Sequence, residues 1–193
     1  MKIYTKTGDT GQTSTLMPGK LSKDAPRIEV IGQVDTLNSS LGLVLTHLPS
    51  IQKNLNEDEK TQATAVHEDL LWIQSSLFDI GALLAQDFSK TKTDWISEAL
   101  KRLETRIDLM TEQLSPLRAF ILPGGSQASA FAHNSRSLCR NTERALISFR
   151  GTEENFPPLI LAYMNRLSDY IFTLARFLNH LAHIEDIKWQ AVS

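Results

Sequence analysis

The sequence contains one cysteine, Cys139, and no long apolar run, and both scarcities exclude whole classes of protein. A single thiol can form neither an internal disulfide framework nor a multi-cysteine metal site. No apolar stretch approaches the roughly 20 residues that a membrane-spanning helix needs. The first residues also lack the apolar stretch and small-residue cleavage site of a secretory signal. We therefore expect a cytoplasmic protein that does not enter membranes.

An excess of one charge sign is also missing, since 20 lysines and arginines stand against 22 aspartates and glutamates. This balance gives no general attraction to nucleic acids or anionic lipids, so any anion-binding site must be local. Hydrophobic residues make up 41% and charged residues 22%, as in ordinary globular proteins. The length of 193 residues suits one domain with a substantial core, so we treat 1–193 as a single domain.

From residue 33 onward, apolar residues recur at alternating steps of three and four, which is the pattern of one apolar seam along a helix. Five seams follow one another: Val34, Leu37, Leu41, Val44 and Leu48; Val66, Leu70, Ile73, Leu77, Ile80 and Leu84; Ile96, Leu100, Leu103, Ile107, Met110 and Leu114; Phe131, Leu138, Ala145 and Phe149; Ile160, Met164, Leu167, Ile171, Leu174, Leu178 and Leu181. Such seams pack together in bundles. We therefore predict an all-α fold, a five-helix bundle with ferritin-like up-and-down packing over residues 28–185.

Residues that start or stop helices lie between the seams. Asp94 and Ser126 are suited to cap the starts of the third and fourth helices. Gly151 suits the end of the fourth helix, and Pro157 and Pro158 suit the first turn of the fifth. These positions support the division of the chain into separate helices.

The segment 1–27 differs from the rest because threonine, serine and glycine crowd together there, which is typical of loops. Its glycines allow close backbone approach, and its hydroxyl groups and Lys6 are donors, so the mixture suits phosphate. An ordinary turn is the alternative interpretation. We predict an N-terminal loop, 1–27, that precedes the bundle and binds a phosphate group.

Three common ligand fingerprints are absent from the sequence. Neither G-x-x-x-x-G-K-[ST] nor G-x-G-x-x-G occurs, so the usual nucleotide-binding loops are missing. No histidine follows a glutamate by three residues, so the Glu-x-x-His motif of di-iron bundles is missing too. We predict no metal site built by the protein itself.

The fourth helix carries Arg136, Arg140 and Arg144 at intervals of four residues, which gives a row of guanidinium groups about 12 Å long. The row falls opposite the predicted apolar face of this helix. Planar guanidinium groups suit phosphates, so a polyphosphate is the natural ligand. Glu143 and a carboxylate from another element are the candidates to offset the positive charge. A solvated face with scattered surface arginines is the alternative. Beside the row, we expect Cys139 to be a buried, inert thiol.

The fifth helix has a second unusual face, away from its apolar seam. Asn165, Asp169, Phe172 and Arg176 line up there. An aromatic ring among polar groups predicts that another subunit or a ligand covers this face. The alternative is an exposed phenylalanine among surface charges.

Three groups of residues stand in one order along nearly the whole chain. They are 2–9 with Gly11, Lys23 and Arg27; 32–38; and 120–125 followed by Arg136, Cys139, Arg140, Glu143, Arg144, 165–170 and Arg176. Together they resemble the PduO-type ATP:cob(I)alamin adenosyltransferase family. The resemblance is specific because it follows the family's order over the chain rather than one short motif.

The resemblance implies a homotrimer of five-helix bundles, with active sites between neighbouring subunits and ATP bound together with Mg²⁺. It implies that the N-terminal loop and the fourth and fifth helices hold the nucleotide. The implied nucleotide-binding residues are Thr5, Lys6, Thr7, Gly8, Thr13, Ser14, Lys23, Arg140, Asn141, Thr142, Glu143, Arg144 and Asn165.

The resemblance also implies a reaction in which cob(I)alamin attacks the ribose 5′ carbon of ATP and triphosphate leaves. The implied catalytic residues are Arg136 with Asp35, which pair across neighbouring subunits, together with Phe120 and Arg140. Phe120 would lie against the corrin ring, where the lower axial base is displaced. A cobalamin reductase or a B12-dependent mutase is a candidate protein partner.

Two positions depart from the family's pattern. Thr36 stands where the family often has glutamate, and Asn141 stands where it often has a second arginine. We expect Thr36 to alter only a surface contact. We expect Asn141 to weaken ATP binding by removing one positive charge, with Arg140 and Arg144 retained.

Two other functions fit parts of the sequence. A non-catalytic helical bundle that binds ATP or polyphosphate, as a sensor or regulatory subunit, would use the same arginine row and loop. A scaffold or coiled-coil interaction protein would explain the seams alone. Release of triphosphate on addition of reduced cobalamin separates the enzyme from the sensor, and an ATP-dependent thermal shift separates both from the scaffold.

Overall fold

The computed structural model describes residues 2–4, 6–52 and 55–192. Within these residues the chain forms five α-helices, which confirms the predicted five-helix, all-α fold. They are α1 (Pro26–Gln52), α2 (Glu57–Leu84), α3 (Asp94–Thr111), α4 (Gln127–Arg150) and α5 (Pro158–Leu181). A single 3-10 turn, Phe88–Lys90, follows α2. No helix in this described part is long and apolar enough to cross a membrane.

The segment before the bundle is more structured than a plain loop. Two short strands, β1 (Gln12–Thr13) and β2 (Leu21–Ser22), pair antiparallel and form a hairpin. The first helix begins at Pro26, so two residues of the predicted loop belong to α1. This N-terminal hairpin is therefore joined directly to the bundle.

The helices pack in an order that puts α4 between α1 and α5. On its other side α1 contacts α2, and α5 contacts α3. Helices α2 and α3 are joined by Asp69, which is 4% exposed and accepts hydrogen bonds from Arg102, at 3.2 Å, and Arg106. A buried carboxylate needs such partners, since an unpaired charge would be costly. The five helices thus pack around one hydrophobic core.

The helix boundaries agree with most of the predicted signals. The Ser126 hydroxyl accepts a hydrogen bond from the Ser129 N–H at 3.2 Å and caps α4, Gly151 ends it, and Pro158 opens α5. The prediction for Asp94 is wrong, because Thr93 occupies the cap position of α3 without a side-chain hydrogen bond and Asp94 is the first helical residue. The negative charge of Asp94 still interacts favourably with the positive N-terminal end of the helix dipole.

The buried face of α4 differs from the predicted one. The seams of α1, α2 and α5 are buried as predicted, whereas on α4 only Phe149 of the predicted set is fully buried. Phe131, Leu138 and Ala145 lie at the edge of the core. The buried residues of α4 are Ala128, Ser129, Ala132, His133, Ser135, Cys139, Thr142, Leu146 and Phe149. Small side chains fill this face because α4 is packed between two neighbouring helices, α1 and α5.

Candidate functional site

The N-terminal hairpin brings Lys23 back against Gly8. The chain turns at Lys6, whose φ of 61° is left-handed, and the Gly11 N–H donates to the Gly8 carbonyl at 3.2 Å. The Lys23 N–H then donates to the Gly11 carbonyl at 2.9 Å. A Cβ atom on Gly8 would lie 3.3 Å from the Lys23 ammonium nitrogen, so glycine leaves room for this approach. Two predicted phosphate-binding positions are therefore adjacent.

The other predicted residues of this segment surround the same turn. Lys6, Thr7 and Ser14 are exposed, and Thr13 is half-buried in β1. Thr5 lies outside the described residues. The exposed donors and the ammonium group of Lys23 give the hairpin the chemistry of an anion-binding surface.

The arginine row runs along the side of α4 that faces α5. The guanidinium carbon of Arg136 lies 5.2 Å from the ring centroid of Phe172 on α5, and both side chains are half-buried. Arg144 is exposed and donates to the Asn141 amide oxygen. In the part of the chain that the structure describes, no hydrogen bond or ion pair involves the exposed guanidinium of Arg140. The exposure of the side chains therefore differs along the row: Arg136 is packed against α5, whereas Arg140 and Arg144 form an open end.

Glu143 and Asn165 join the open end of the row to α5. The Asn165 amide donates to the Glu143 carboxylate at 3.2 Å, so the structure brings together two predicted nucleotide-binding residues from different helices. Glu143 also supplies the negative charge expected beside three arginines, because like charges at this spacing repel.

Thr142 lies on a different face of α4 from its neighbours. It is 1% exposed, and its hydroxyl donates to the carbonyl oxygens of Leu138, at 2.9 Å, and Gln33. A side chain buried against α1 contacts no ligand on the arginine side. The side chain of Thr142 thus packs between α4 and α1, and the predicted contact between this residue and a nucleotide stays a prediction.

Asp35 and Arg136 do not meet within one chain. Asp35 is exposed on α1, and Arg136 makes no ion pair within residues 2–4, 6–52 and 55–192 of its own chain. Thr36, beside it, is exposed and donates to the Gly32 carbonyl of its own helix at 2.9 Å. The predicted pair thus consists of an exposed carboxylate and a half-buried guanidinium without an acidic partner.

Phe120 belongs to a two-stranded ribbon formed by the α3–α4 connection and the C-terminal segment. The Leu122 N–H donates to the Ile187 carbonyl and the Trp189 N–H to the Phe120 carbonyl, each at 2.8 Å, and Ile121 pairs with Lys188. Since side chains alternate along extended backbone, one face carries Phe120, Leu122, Ile187 and Trp189. We call these four residues the apolar ribbon face.

All four residues of the apolar ribbon face are exposed, from 44% for Leu122 to 80% for Phe120. Clustered exposed apolar groups mark sites that another molecule covers. Sequence reasoning reached Phe120 only through the family resemblance and missed the other three. The alternating signal in the C-terminal segment spans only Ile187–Trp189, which is too short to predict a strand.

Asn179 on α5 holds the start of this ribbon. It is 2% exposed; its amide oxygen accepts from the Ser126 N–H at 2.9 Å, and its amide nitrogen donates to the Gly124 carbonyl at 3.1 Å and to Asp186 at 3.2 Å. Gly125 has a φ of +103°, and a Cβ there would lie 2.2 Å from the Asn179 oxygen. Glycine is therefore required at position 125 both by the backbone conformation and by the close approach of Asn179.

Arg176 fixes the other side of the ribbon. Its guanidinium donates to Asp186 and to the Ser115 carbonyl, both at 2.8 Å. These contacts tie α5 to both segments that form the ribbon. Behind the ribbon lies a cavity of about 350 Å³, lined in part by Arg118, Arg176 and Lys188.

Two buried groups beside the arginine row have shifted pKa values. Burial, assisted by the Arg136 charge and opposed by Asp186, lowers the pKa of His133, whose Nε2 atom has no hydrogen-bond partner among the described residues. Burial raises the pKa of the Cys139 thiol far above its ordinary range, and its Sγ donates to the Met164 carbonyl at 3.3 Å. Cys139 is therefore the buried, inert thiol that the sequence predicts.

The histidine, cysteine and acidic side chains of the described ranges form no group of three or more that could hold a metal ion. Cationic and hydroxyl groups dominate at the hairpin and the arginine row, and apolar groups dominate at the ribbon. The arrangement therefore suits one polyanionic ligand and one large apolar ligand.

Comparisons with known proteins give one family over the whole fold. The family model described as cobalamin adenosyltransferase matches residues 3–178. A corrinoid adenosyltransferase of Bacillus subtilis is 40% identical over 98% of this chain and 93% of that protein. A cobalamin adenosyltransferase of Cupriavidus metallidurans is 38% identical over 98% of this chain and 94% of that protein.

A solved structure has the same architecture. It is a variant of the PduO-type ATP:corrinoid adenosyltransferase from Lactobacillus reuteri, complexed with cobalamin and ATP. Its TM-score is 0.85 at 33% sequence identity, with 98% of this chain and 100% of that chain covered. The similarity therefore extends over sequence, length and fold.

Proposed function

Because this chain belongs to the cobalamin adenosyltransferase family, we propose that it transfers the 5′-deoxyadenosyl group of ATP to the cobalt of cob(I)alamin. In this reaction the cobalt–carbon bond forms at the ribose 5′ carbon as the bond to the triphosphate oxygen breaks. The observation that carries the proposal at the level of residues is the row of arginines on α4, in which the guanidinium groups of Arg140 and Arg144 are exposed and that of Arg140 is open to a ligand. A cobalt(I) nucleophile carries no proton to remove, so the reaction needs no general base.

The protein's task is to align the reactants and to stabilise the leaving triphosphate. We assign Lys6, Lys23, Arg140 and Arg144 to the phosphates, because each adds positive charge where negative charge develops. The remaining proposed nucleotide contacts are Thr5, Thr7, Gly8, Thr13, Ser14, Asn141, Glu143 and Asn165. Removing one charged contact of this type typically costs about 2–4 kcal/mol of transition-state stabilisation.

Mg²⁺ enters as part of the nucleotide. Its preferred ligands are oxygens of phosphates and carboxylates, and the Glu143 carboxylate, which accepts from Asn165, is a suitable donor beside the arginine row. When bound, the ion would add positive charge on the leaving triphosphate. The chain's own part is to hold the nucleotide with Arg140, Arg144 and the hairpin donors.

We assign the corrin ring to the apolar ribbon face. This face offers a broad apolar surface, made by Phe120, Leu122, Ile187 and Trp189. Exposure of such a surface to water is unfavourable, so binding of an apolar ligand there is favoured. The Phe120 side chain can occupy the place of the lower axial ligand of cobalt. A cobalt without that ligand is easier to reduce to cobalt(I), so Phe120 acts on the reducing step.

We further propose a homotrimer with active sites between subunits, located in the cytoplasm. The exposed carboxylate of Asp35 and the half-buried guanidinium of Arg136 support a pair that forms between neighbouring chains. The single free thiol, Cys139, is in keeping with a reducing compartment. The candidate protein partners are a cobalamin reductase, because cobalt(I) must be supplied, and a B12-dependent mutase, because such an enzyme uses the adenosylcobalamin formed.

The test is direct. Purified protein is incubated with ATP, Mg²⁺ and chemically reduced cobalamin, and the absorbance change on cobalt–carbon bond formation is followed together with triphosphate release. Adenosylcobalamin and triphosphate should appear in equal amounts. ATP binding without either product would instead favour the nucleotide-binding sensor, which full-length similarity to adenosyltransferases disfavours.

A further inference from the structure

Arg27 ties the start of α1 to distant parts of the chain. It is the second residue of α1, lies four residues after Lys23, and is 7% exposed. A buried guanidinium is tolerated only when its N–H groups find partners. Its Nη1 donates to the carbonyl oxygens of Leu84, at 2.7 Å, and Gln86, at 2.9 Å, and its Nη2 donates to the Glu153 carboxylate.

The two carbonyl groups belong to the end of α2. The last carbonyls of a helix lack partners within it and carry partial negative charge. Helix α2 has no basic residue in its own last turn, and Arg27 supplies that positive charge from α1. Between them, the Ala85 carbonyl accepts from the Leu16 N–H at 3.1 Å. Leu16 lies between β1 and β2, so three successive carbonyls at the end of α2 bind the hairpin at Leu16 and the start of α1 at Arg27.

Aromatic rings enclose the guanidinium of Arg27. Its carbon atom lies 5.0 Å from the ring centroid of Phe88 and 5.2 Å from that of Phe149. Phe156 packs edge-on against both rings. Ring faces attract a cation and exclude water, and the lower dielectric strengthens the ion pair with Glu153. Glu153 follows the last residue of α4 by three positions, so the Arg27 contacts also fix the end of α4.

From these contacts we propose that Arg27 is a positioning residue for the nucleotide. It fixes the N-terminal hairpin, which carries Lys6 and Lys23, relative to the helix that carries Arg140 and Arg144. The inference rests on the proposed function, since it takes these four groups to bind the triphosphate. Arg27 itself is buried and acts through the groups that it holds. Loosening it would displace the hairpin lysines while the bundle stays folded.

The first test is Arg27→Lys. Lysine keeps the charge but lacks the planar fork that reaches three acceptors at once. We expect the KM for ATP to rise roughly tenfold to a hundredfold, the range for misplaced binding groups, with the KM for cob(I)alamin nearly unchanged. Glu153→Gln keeps an acceptor without the charge, so its ATP KM should rise in the same direction by less. Calorimetric titration with ATP should follow the same order.

The matched control is Arg106→Lys, which loosens the ion pair to the buried Asp69 between α2 and α3. It should lower the melting temperature and leave the KM for ATP unchanged. If Arg27→Lys lowers the melting temperature similarly but keeps the wild-type ATP KM, Arg27 is only structural and the inference fails. If Arg27→Lys does not fold, Glu153→Gln decides: a raised ATP KM supports the inference and an unchanged one overturns it.

The inference and the proposed function fail in different ways. If the wild-type protein transfers no adenosyl group, the proposed function is wrong. ATP affinity measured by calorimetry on the wild-type and Arg27→Lys proteins then still decides the role of Arg27: equal affinities overturn it, and a weaker variant supports it.

Discussion

Phe120 and Trp189 meet edge to face on the apolar ribbon face, with ring centroids 6.4 Å apart and ring planes at 81°. This geometry is the one that the ring quadrupoles favour. The pair joins the α3–α4 connection to the C-terminal segment at the level of side chains, in addition to the backbone bonds. Phe120 is therefore held in place although 80% of it is exposed.

Phe120→Ala should reduce turnover from cob(II)alamin far more than it affects ATP binding. In the proposed function this side chain excludes the lower axial ligand of cobalt, so its loss should lower this turnover by about 10²-fold, which is the size of effect expected for one lost transition-state interaction. Steady-state rates with cob(II)alamin plus reductant, compared with the KM for ATP, measure both. Leu117→Ala, which removes another exposed apolar side chain from the same connection, is the control. Similar losses in turnover and ATP affinity would contradict this role.

Arg140→Ala should lower kcat by roughly 10²–10³-fold, because it removes positive charge that the leaving triphosphate needs. Single-turnover rates with pre-reduced cobalamin isolate this chemical step. Arg150→Ala is the matched control, since Arg150 is exposed on the last turn of the same helix. If both variants behave alike, general surface charge rather than a specific contact explains the effect.

Arg136→Ala should weaken the proposed trimer by a few kcal/mol, because it leaves a partner carboxylate without its counter-ion. Sedimentation over a range of protein concentrations measures the subunit equilibrium. Asp35→Asn should cause a similar loss, and the double variant should cost no more than either alone. A fully active Arg136→Ala trimer would mean that the pair does not form.

The stability of the protein should fall as the pH drops below about 6.5, in part because of His133. Burial first, and then the Arg136 charge, lowers the pKa of this imidazole in the folded state, while Asp186 opposes the shift. The unfolded chain therefore binds the proton at a higher pH than the folded chain does, and stability is lost from the unfolded pKa downward. Melting temperatures measured from about pH 7.5 to about pH 5, a range that includes the ordinary histidine pKa, test this. His133→Gln should flatten the profile, and an equally steep profile would exclude His133 as a contributor.

The helices were predictable because their large apolar residues repeat with the helical period, as Leu37 and Leu41 do on α1. Helix α4 was misjudged because hydrophobicity favours Phe131 and Leu138 over small residues such as Ser135. Where α4 packs closely between α1 and α5, small side chains fit better than large ones. The arginine row was found even so, since its spacing does not depend on which other face is buried.

The site was predictable only in part. Spacing within one helix revealed Arg140 and Arg144, and the family resemblance pointed to Phe120. The contact between the Phe120 and Trp189 rings joins residues far apart in the sequence, so no local sequence pattern predicts it. Arg27 stood in a recognised motif, yet its three acceptors come from two distant segments, so its role emerges only from the fold.

The polar atoms buried along α4 limit how this helix can move. Ser135 accepts a hydrogen bond from the Ser40 hydroxyl on α1 at 2.9 Å, and the Cys139 thiol donates to the Met164 carbonyl on α5. If α4 slid along its axis by one turn, these hydrogen bonds would break and leave buried polar groups without partners, which is energetically costly. We therefore expect α4 to stay in place during turnover. Substrate entry and product release would then depend on movements of the N-terminal hairpin and of the ribbon.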